Sequence, residues 1–198
     1  GDDREARHLF LNALETDPQH PVALRHLLSI VERVGTPREV VEAKQRMLPA
    51  TTDELQRFKL LVDIGDTYLS LQETAAAEAA YRDAVRIDAT SKVVLHKLLK
   101  IFTDTGNWRR ATEVLGQLAA MEDQPEKQAR LCFSIAAIFR DELGEAENAV
   151  KFFNQALDAK YDHLEAFEAI DHLLTSARDW RALEQNYRRM LERVLSDG

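Results

Sequence analysis

Six histidines and one cysteine are the side chains in this sequence best suited to metal binding or nucleophilic chemistry, but their spacing favours neither. The histidines mostly stand alone, at positions 8, 20, 26, 96, 163 and 172. His163 and His172 lie nine residues apart and share no helix face. The sequence has no His-Glu-x-x-His zinc helix, Gly-x-Ser-x-Gly element or glycine-rich phosphate loop. We therefore expect no metal and no cofactor.

Paired carboxylates could in principle perform acid–base catalysis, and they occur here as Asp141-Glu142 and as Glu145 with Glu147. Both pairs lie in or beside a predicted turn, where carboxylates cap helices or face solvent. Catalysis needs groups that converge in a closed pocket, which an open array of helical repeats seldom supplies. The sequence therefore predicts a protein that is not an enzyme.

Composition excludes several other classes of function. The net charge of −8 argues against general affinity for nucleic acid, for which a strongly basic domain is typical. Cys132 is the single cysteine and lies in the apolar run Leu131-Cys132-Phe133, which predicts a buried core residue. No apolar run is long enough to span a membrane. The first residues, 1–4, lack signal-peptide character, so we expect a soluble protein, most simply a cytoplasmic one.

The elements that position these residues are predicted to be helices throughout. Leu, Ala, Glu and Arg dominate, and no stretch alternates long enough to predict a strand. A small-aromatic-small pattern recurs with spacings of four and three, which place its three residues on one helix face. The pattern reads Ala6-Phe10-Ala13, Ala77-Tyr81-Ala84 and Ala149-Phe153-Ala156. Such a face is shaped to receive another helix closely.

The clearest unit extends from Phe58 to about Ala89. Its first predicted helix carries a packing stripe, and its second carries the small-aromatic-small face: Leu61, Ile64, Gly65 and Tyr68, then Ala77, Tyr81 and Ala84. These residues resemble the tetratricopeptide repeat (TPR), a helix-turn-helix unit of roughly 34 residues. Gly65 and Ala77 should let the helices approach, and Tyr68 and Tyr81 should fill the gaps beside them.

The resemblance extends over nearly the whole chain. It implies a half repeat at 4–18 and full repeats at 21–50, 58–89, 92–121, 129–158 and 164–195. The expected fold is all-α: a right-handed superhelical α-solenoid of antiparallel helix pairs, with about five full repeats and about 11 helices in a single domain, 1–198. Lys44 replaces the aromatic residue of its repeat, which is therefore degenerate.

A longer period is superimposed on these repeats. Trp108 returns as Trp180 and Tyr81 as Phe153, each 72 residues later, and Tyr81 maps back to Phe10 over 71 residues. The duplicated unit is therefore a pair of repeats. Because the tryptophans recur at equivalent positions, the favoured interpretation is that they fill space between neighbouring units, and the alternative is a binding role.

The two ends of the repeat array lack the polar caps that solenoids normally need. Apolar residues are therefore predicted to be exposed there: Phe10, Leu14, Tyr187, Met190 and Val194. The favoured explanation is that this chain is a fragment of a longer array. The alternative is end-to-end self-association through the uncapped terminal helices.

In the TPR family the first helices line the concave surface, so the resemblance nominates their outward columns as a binding groove. The candidate residues are Lys59, Val62, Asp66, His96, Lys100, Arg130, Phe133 and Arg140. Cations around apolar side chains could hold an acidic or mixed-charge peptide. The competing interpretation is plain solvated surface.

Three functions follow from the resemblance. The first is a non-catalytic interaction module, a scaffold or adaptor that binds a partner protein or peptide in the concave groove. The second is a regulatory or substrate-docking region of a larger enzyme or assembly. The third is an RNA-processing scaffold of the half-TPR kind, against which the net charge of −8 counts.

Overall fold

The computed structural model describes the backbone of residues 2–196 and the side chains of residues 3–196. In this range the chain forms eleven α-helices, one 3-10 turn and no strand. The helices are α1 (Asp2–Thr16), α2 (Pro21–Val34), α3 (Pro37–Met47), α4 (Glu54–Ser70), α5 (Thr74–Ile87), α6 (Lys92–Asp104), α7 (Trp108–Ala120), α8 (Pro125–Asp141), α9 (Ala146–Ala159), α10 (Leu164–Ser176) and α11 (Trp180–Ser196), with the 3-10 turn at Leu48–Ala50. The all-α architecture of helix pairs predicted from the sequence is confirmed.

Helix starts follow from local capping chemistry. The Thr36 hydroxyl accepts from the Glu39 backbone N–H, and the Glu39 carboxylate accepts from the Thr36 N–H, which forms a capping box at α3. The Asp53 carboxylate accepts from the Gln56 N–H at 2.7 Å and caps α4. Pro21 and Pro125 occupy the first positions of α2 and α8, where a missing N–H costs nothing.

The chain divides into two compact units, Gly1–Ile101 (unit 1) and Phe102–Gly198 (unit 2), with the boundary inside α6. In unit 1 each helix from α1 to α5 packs against the next along the chain. Unit 2 repeats this arrangement from α7 to α11. Helices that pack on their sequence neighbours are the construction principle of α-solenoids.

The core of each unit is built on the small-aromatic-small face. Ala77, Tyr81 and Ala84 are fully buried on α5, and so are their counterparts on α9. A Cβ added to Gly65 would lie 2.7 Å from Tyr81 Cδ1, so α4 and α5 approach as closely as the sequence predicts. In α1 the same pattern is only partly covered: Ala13 is exposed, and half-buried Phe10 stacks on His26 at 5.1 Å.

The turn inside each of four helix pairs requires one left-handed residue. Gly106 and Gly144 have φ of 67° and 66°, which glycine adopts without strain. Gln72 and Arg178 hold the same conformation with φ of 60° and 56°. At these turns the chain returns to the preceding helix by bonds such as Glu73 N–H to Tyr68 O at 2.9 Å.

Exposed apolar side chains concentrate on the last described helix. Trp180 is 60% exposed and therefore does not fill space between neighbouring repeats, whereas Trp108 is half-buried. The same helix exposes Tyr187, Leu191, Val194 and Leu195. No helix within residues 2–196 is long and apolar enough to cross a membrane.

The prediction that Leu14 of α1 is exposed is wrong. This side chain is buried in a core cluster with Leu24 and Leu27, because α2 packs directly on α1 and covers it. Phe10 and Met190 are half-buried. The apolar surface predicted for the two ends of the array is therefore found mainly on α11.

Candidate functional site

The residues nominated for the groove are divided between the two units. Unit 1 holds Lys59, Val62 and Asp66 on α4, and His96 and Lys100 on α6. Unit 2 holds Arg130, Phe133 and Arg140 on α8. Both sets lie on first helices of their pairs, and each is described within its own unit.

Asp66 joins three helices of unit 1. Its carboxylate accepts a 2.5 Å hydrogen bond from the Tyr81 hydroxyl of α5 and forms an ion pair with Lys97 of α6. The Lys97 ammonium also lies 5.6 Å from the centroid of the Tyr81 ring. Burial, followed by the bond to the Asp66 carboxylate, raises the pKa of Tyr81 well above its ordinary value. Asp66 therefore positions α4 and α6 relative to each other.

Around this junction, unit 1 presents cations beside exposed apolar groups. Lys59, His96 and Lys100 are exposed, and Val62 is half-buried. Val93 on α6 is 65% exposed, and Leu69 on α4 is also exposed. An exposed valine or leucine beside cations gives a partner both apolar contact and charge.

In unit 2, two of the three nominated residues also pack internally. The Phe133 ring stacks on His163 at 5.0 Å and meets Phe153 edge-on at 5.2 Å. Arg140 donates to both carboxylate oxygens of Asp141, at 2.7 and 2.8 Å, and lies over Phe153. The hydrogen bonds from Arg140 lower the pKa of the Asp141 carboxyl. Arg130 is exposed, so it is the nominated residue of unit 2 most accessible to a partner.

Cys132 and the histidines provide no metal centre in the described part of the chain. No three side chains of His, Cys, Asp or Glu converge there. Cys132 is buried, as the sequence predicts. Burial, followed by the nearby Asp158 charge, raises the pKa of its thiol, which keeps the sulfur protonated and a poor nucleophile at neutral pH.

Sequence reasoning missed Lys97 and the role of the Tyr81 hydroxyl. Lys97 is adjacent in sequence to His96 and therefore lies outside the column that contains His96 and Lys100, so it was not among the residues nominated from helix spacing. A signal was present nonetheless: the counterpart of Tyr81 is Phe153, and a buried tyrosine hydroxyl requires a hydrogen-bond partner. Asp66, on the preceding helix, provides that partner.

Several solved structures resemble the chain at low identity. The crystal structure of YrrB, a TPR protein with an unusual peptide-binding site, is 15% identical, with a TM-score of 0.47 over 85% of this chain and 83% of that one. MamA from Desulfovibrio magneticus RS-1 is 13% identical, with a TM-score of 0.45 over 91% and 97%. BtubC from P. vanneervenii is 14% identical, with a TM-score of 0.42 over 98% and 89%. No functional argument follows from likenesses with TM-scores below 0.5.

The comparison by sequence is more specific. No curated protein matches the chain. The family model of the tetratricopeptide repeat matches residues 58–91 and 129–163. These two segments contain the fully buried Ala77-Tyr81-Ala84 and Ala149-Phe153-Ala156 faces. The two matched segments, formed by α4–α5 and α8–α9, are therefore similar to tetratricopeptide repeats, which supports the resemblance identified in the sequence.

Proposed function

We propose that the protein is a non-catalytic interaction module that binds a partner protein or peptide on its first helices. The observation that carries the proposal is the exposed valine Val93 on the same helix α6 as the exposed side chains His96 and Lys100. A single exposed apolar side chain is common on protein surfaces, so the support comes from its helical spacing to two basic side chains, which lets one face offer both apolar and polar contacts. The family resemblance supports the choice of face, because first helices line the inner surface of TPR arrays.

The proposed ligand is an extended peptide with acidic and apolar side chains. Lys59, His96 and Lys100 would pair with carboxylates, and Val62 and Val93 would contact apolar groups. Asp66 would act indirectly, because its contacts with Tyr81 and Lys97 fix the spacing of α4 and α6. In unit 2, Arg130 would be the main charged contact, with Phe133 and Arg140 supporting it from their packed positions.

Charge reversal tests this face in each unit separately. The unit 1 variant combines Lys59→Glu with Lys100→Glu, and the unit 2 variant is Arg130→Glu. Arg86→Glu is the matched control, because Arg86 lies on the second helix α5 and pairs with Asp83 of the same helix. Partners captured by the wild-type chain from its source cells are identified by mass spectrometry, and their dissociation constants are then measured with purified proteins.

We expect the unit 1 variant to weaken binding by about tenfold, since each lost charge pair at a surface is worth up to about 1 kcal/mol. The affinity of the wild-type chain should also fall as salt is raised. The control should bind like the wild type. If all three variants bind the partner with the affinity of the wild type, the proposed face is refuted. If Arg86→Glu weakens binding as much as the other variants do, the effect is one of general charge.

Self-association through the terminal helices is a separate part of the proposal. Its support is the exposed apolar face of α11, with Tyr187, Leu191, Val194 and Leu195. Light scattering coupled to size-exclusion chromatography should show a concentration-dependent mass for the wild type and a monomer for Leu191→Glu combined with Leu195→Glu. A wild-type monomer at every concentration would exclude this association.

A further inference from the structure

A pocket of about 400 Å³ lies between α7, α8 and α9 of unit 2, away from the nominated groove residues. Half-buried Phe152, with Ala120 and Ala159, forms its apolar wall above the fully buried Ile135. Gln128, Gln155 and Asp158 supply its polar groups. The Phe152 ring is held in place by stacking on Phe139 at 5.4 Å. Pockets that hold ligand groups in proteins fall in this range of volume and combine apolar walls with a few polar side chains.

Gly116 borders this pocket from the interior of α7. A glycine inside a helix is unfavourable compared with alanine, so it usually has a reason in packing or function. Gly65 has such a reason, because its missing Cβ makes room for Tyr81. At Gly116 an added Cβ would meet no atom within 4 Å. Packing therefore does not explain Gly116, and its effect is to leave the pocket open.

The first copy of the duplication carries larger side chains at four of the positions that correspond to the pocket lining. The stripe from Leu61 to Tyr68 corresponds to the stripe from Cys132 to Phe139, and Tyr81 corresponds to Phe153. In this alignment Gln45, Leu48, Leu61 and Ile87 correspond to Gly116, Ala119, Cys132 and Ala159. All four residues are smaller in the second copy and line the pocket. Phe152 and Gln155, by contrast, are larger than their counterparts Ala80 and Asp83, so the space arises at the four smaller residues and the wall comes from Phe152.

We propose that this pocket receives a phenylalanine- or leucine-sized side chain of a partner peptide whose next residue is a lysine or arginine. The apolar wall selects the anchor. The Gln155 amide and the Oε1 of Gln128, whose Nε2 donates to Ala119 O at 3.4 Å, can bond the peptide backbone. Asp158 selects the cation. Both contacts from Arg193 to this carboxylate reach Oδ1, so Oδ2 has no partner among the described residues. None of the residues that line the pocket is a lysine or an arginine, but Arg193 forms an ion pair with Asp158, so the cation of the ligand would share this carboxylate through Oδ2. The sequence as a whole carries a net charge of −8.

This site is distinct from the surface under Proposed function, because none of the nominated groove residues lines the pocket and its charged group is a carboxylate. Nuclear magnetic resonance of the full 198-residue chain tests it with three defined probes: N-acetyl-Phe-Lys-amide, N-acetyl-Phe-Glu-amide and N-acetyl-Ala-Lys-amide. The first probe should cause saturable shifts at the backbone amides of Gly116 and Cys132. The other two should bind more weakly, since each lacks either the cation or the anchor.

Two substitutions at one position separate occupancy of the pocket from helix stability. Gly116→Leu should fill the space and weaken N-acetyl-Phe-Lys-amide binding by about tenfold or more, the cost of excluding a large apolar side chain. Gly116→Ala gives a similar gain in helix propensity but leaves most of the pocket open, so it should bind within about twofold of the wild type.

Either of two results would overturn this proposal: absence of saturable shifts with N-acetyl-Phe-Lys-amide, or equal binding by Gly116→Leu and the wild type. A third contrary result is a preference for the Phe-Glu probe, since it would contradict the role of Asp158. Lys59→Glu combined with Lys100→Glu should leave binding of the probe unchanged. Failure of this proposal is thereby distinguishable from failure of the first-helix surface.

Discussion

Asn186 on α11 is only 3% exposed, and neither polar atom of its side-chain amide has a hydrogen-bond partner among the described residues. The counterpart of Asn186 in the duplicated sequence is Val114 on α7, which is also buried. The repeat therefore accommodates valine at this position. Asn186→Val replaces an unbonded amide by an apolar group of similar size, and we expect it to stabilise unit 2.

The expected gain is about 2 kcal/mol. Leaving a buried polar group unbonded costs about 1–3 kcal/mol, and replacing it by an apolar group of the same shape removes that cost. Valine and asparagine have nearly equal helix propensity, so the backbone contributes little to the difference. The reciprocal change, Val114→Asn, should lose about 3 kcal/mol because it removes apolar burial and adds an unbonded amide.

Urea unfolding followed by tryptophan fluorescence measures both changes, because Trp108 and Trp180 both belong to unit 2. The midpoint should rise for Asn186→Val and fall for Val114→Asn, with an unchanged slope. A loss of stability in Asn186→Val would refute the reasoning, since it would mean that the amide makes favourable hydrogen bonds in solution. Asn186 would then be a structural polar contact of α11.

Four further substitutions test the helix packing, the turns and the Tyr81 hydrogen bond. Gly65→Ala should destabilise the chain by about 1–2 kcal/mol in urea unfolding followed by circular dichroism, because its methyl would overlap the Tyr81 ring; unchanged stability would mean that α4 and α5 separate freely. Gln72→Gly and Arg178→Gly should each raise the free energy of unfolding by about 0.5–1 kcal/mol, because glycine adopts the left-handed backbone conformation without strain. A lower free energy of unfolding would show that contacts of the original side chain contribute more than the strain costs. Tyr81→Phe should cost about 1–2 kcal/mol through loss of the bond to Asp66. Because the folded state raises the pKa of Tyr81 above its ordinary 10.0, wild-type stability should fall as the pH rises past about 10, and Tyr81→Phe should flatten this dependence.

Most of the fold could be predicted from spacing alone, because local spacing determines which residues share a helix face. The sequence pattern places Ala77, Tyr81 and Ala84 together, and the structure buries all three. The same pattern in α1 is less buried, since its Ala13 is exposed. A small-aromatic-small face is buried only where another helix covers it, as α4 covers Tyr81 through Gly65. The pattern identifies the face but does not say how completely it is covered.

The candidate site was less predictable, because side-chain partners depend on contacts between helices. Columns spaced along one helix identified Lys59, His96 and Lys100 as surface residues, and the structure leaves them exposed. The same rule could not show that Asp66 bonds Tyr81, which lies on another helix. The prediction that Trp180 fills space between neighbouring repeats was wrong for a related reason. It depended on contacts between helices, and the structure leaves this side chain 60% exposed.

Positions at which the two copies of the duplication differ indicate functional surfaces better than positions at which they agree. Residues that both copies share, such as the alanines on either side of the buried aromatic residue, are required for helix packing in both copies. In the first copy, Asp66, Tyr81 and Lys97 form a polar junction where the second copy has Ala137, Phe153 and Ala169. In the second copy, a pocket bordered by Gly116 opens where the first has larger side chains. Because the same fold accommodates both versions, packing alone requires neither. A common scaffold can therefore carry a different surface in each copy, with charge on the first helices of one and an apolar recess between α7, α8 and α9 in the other.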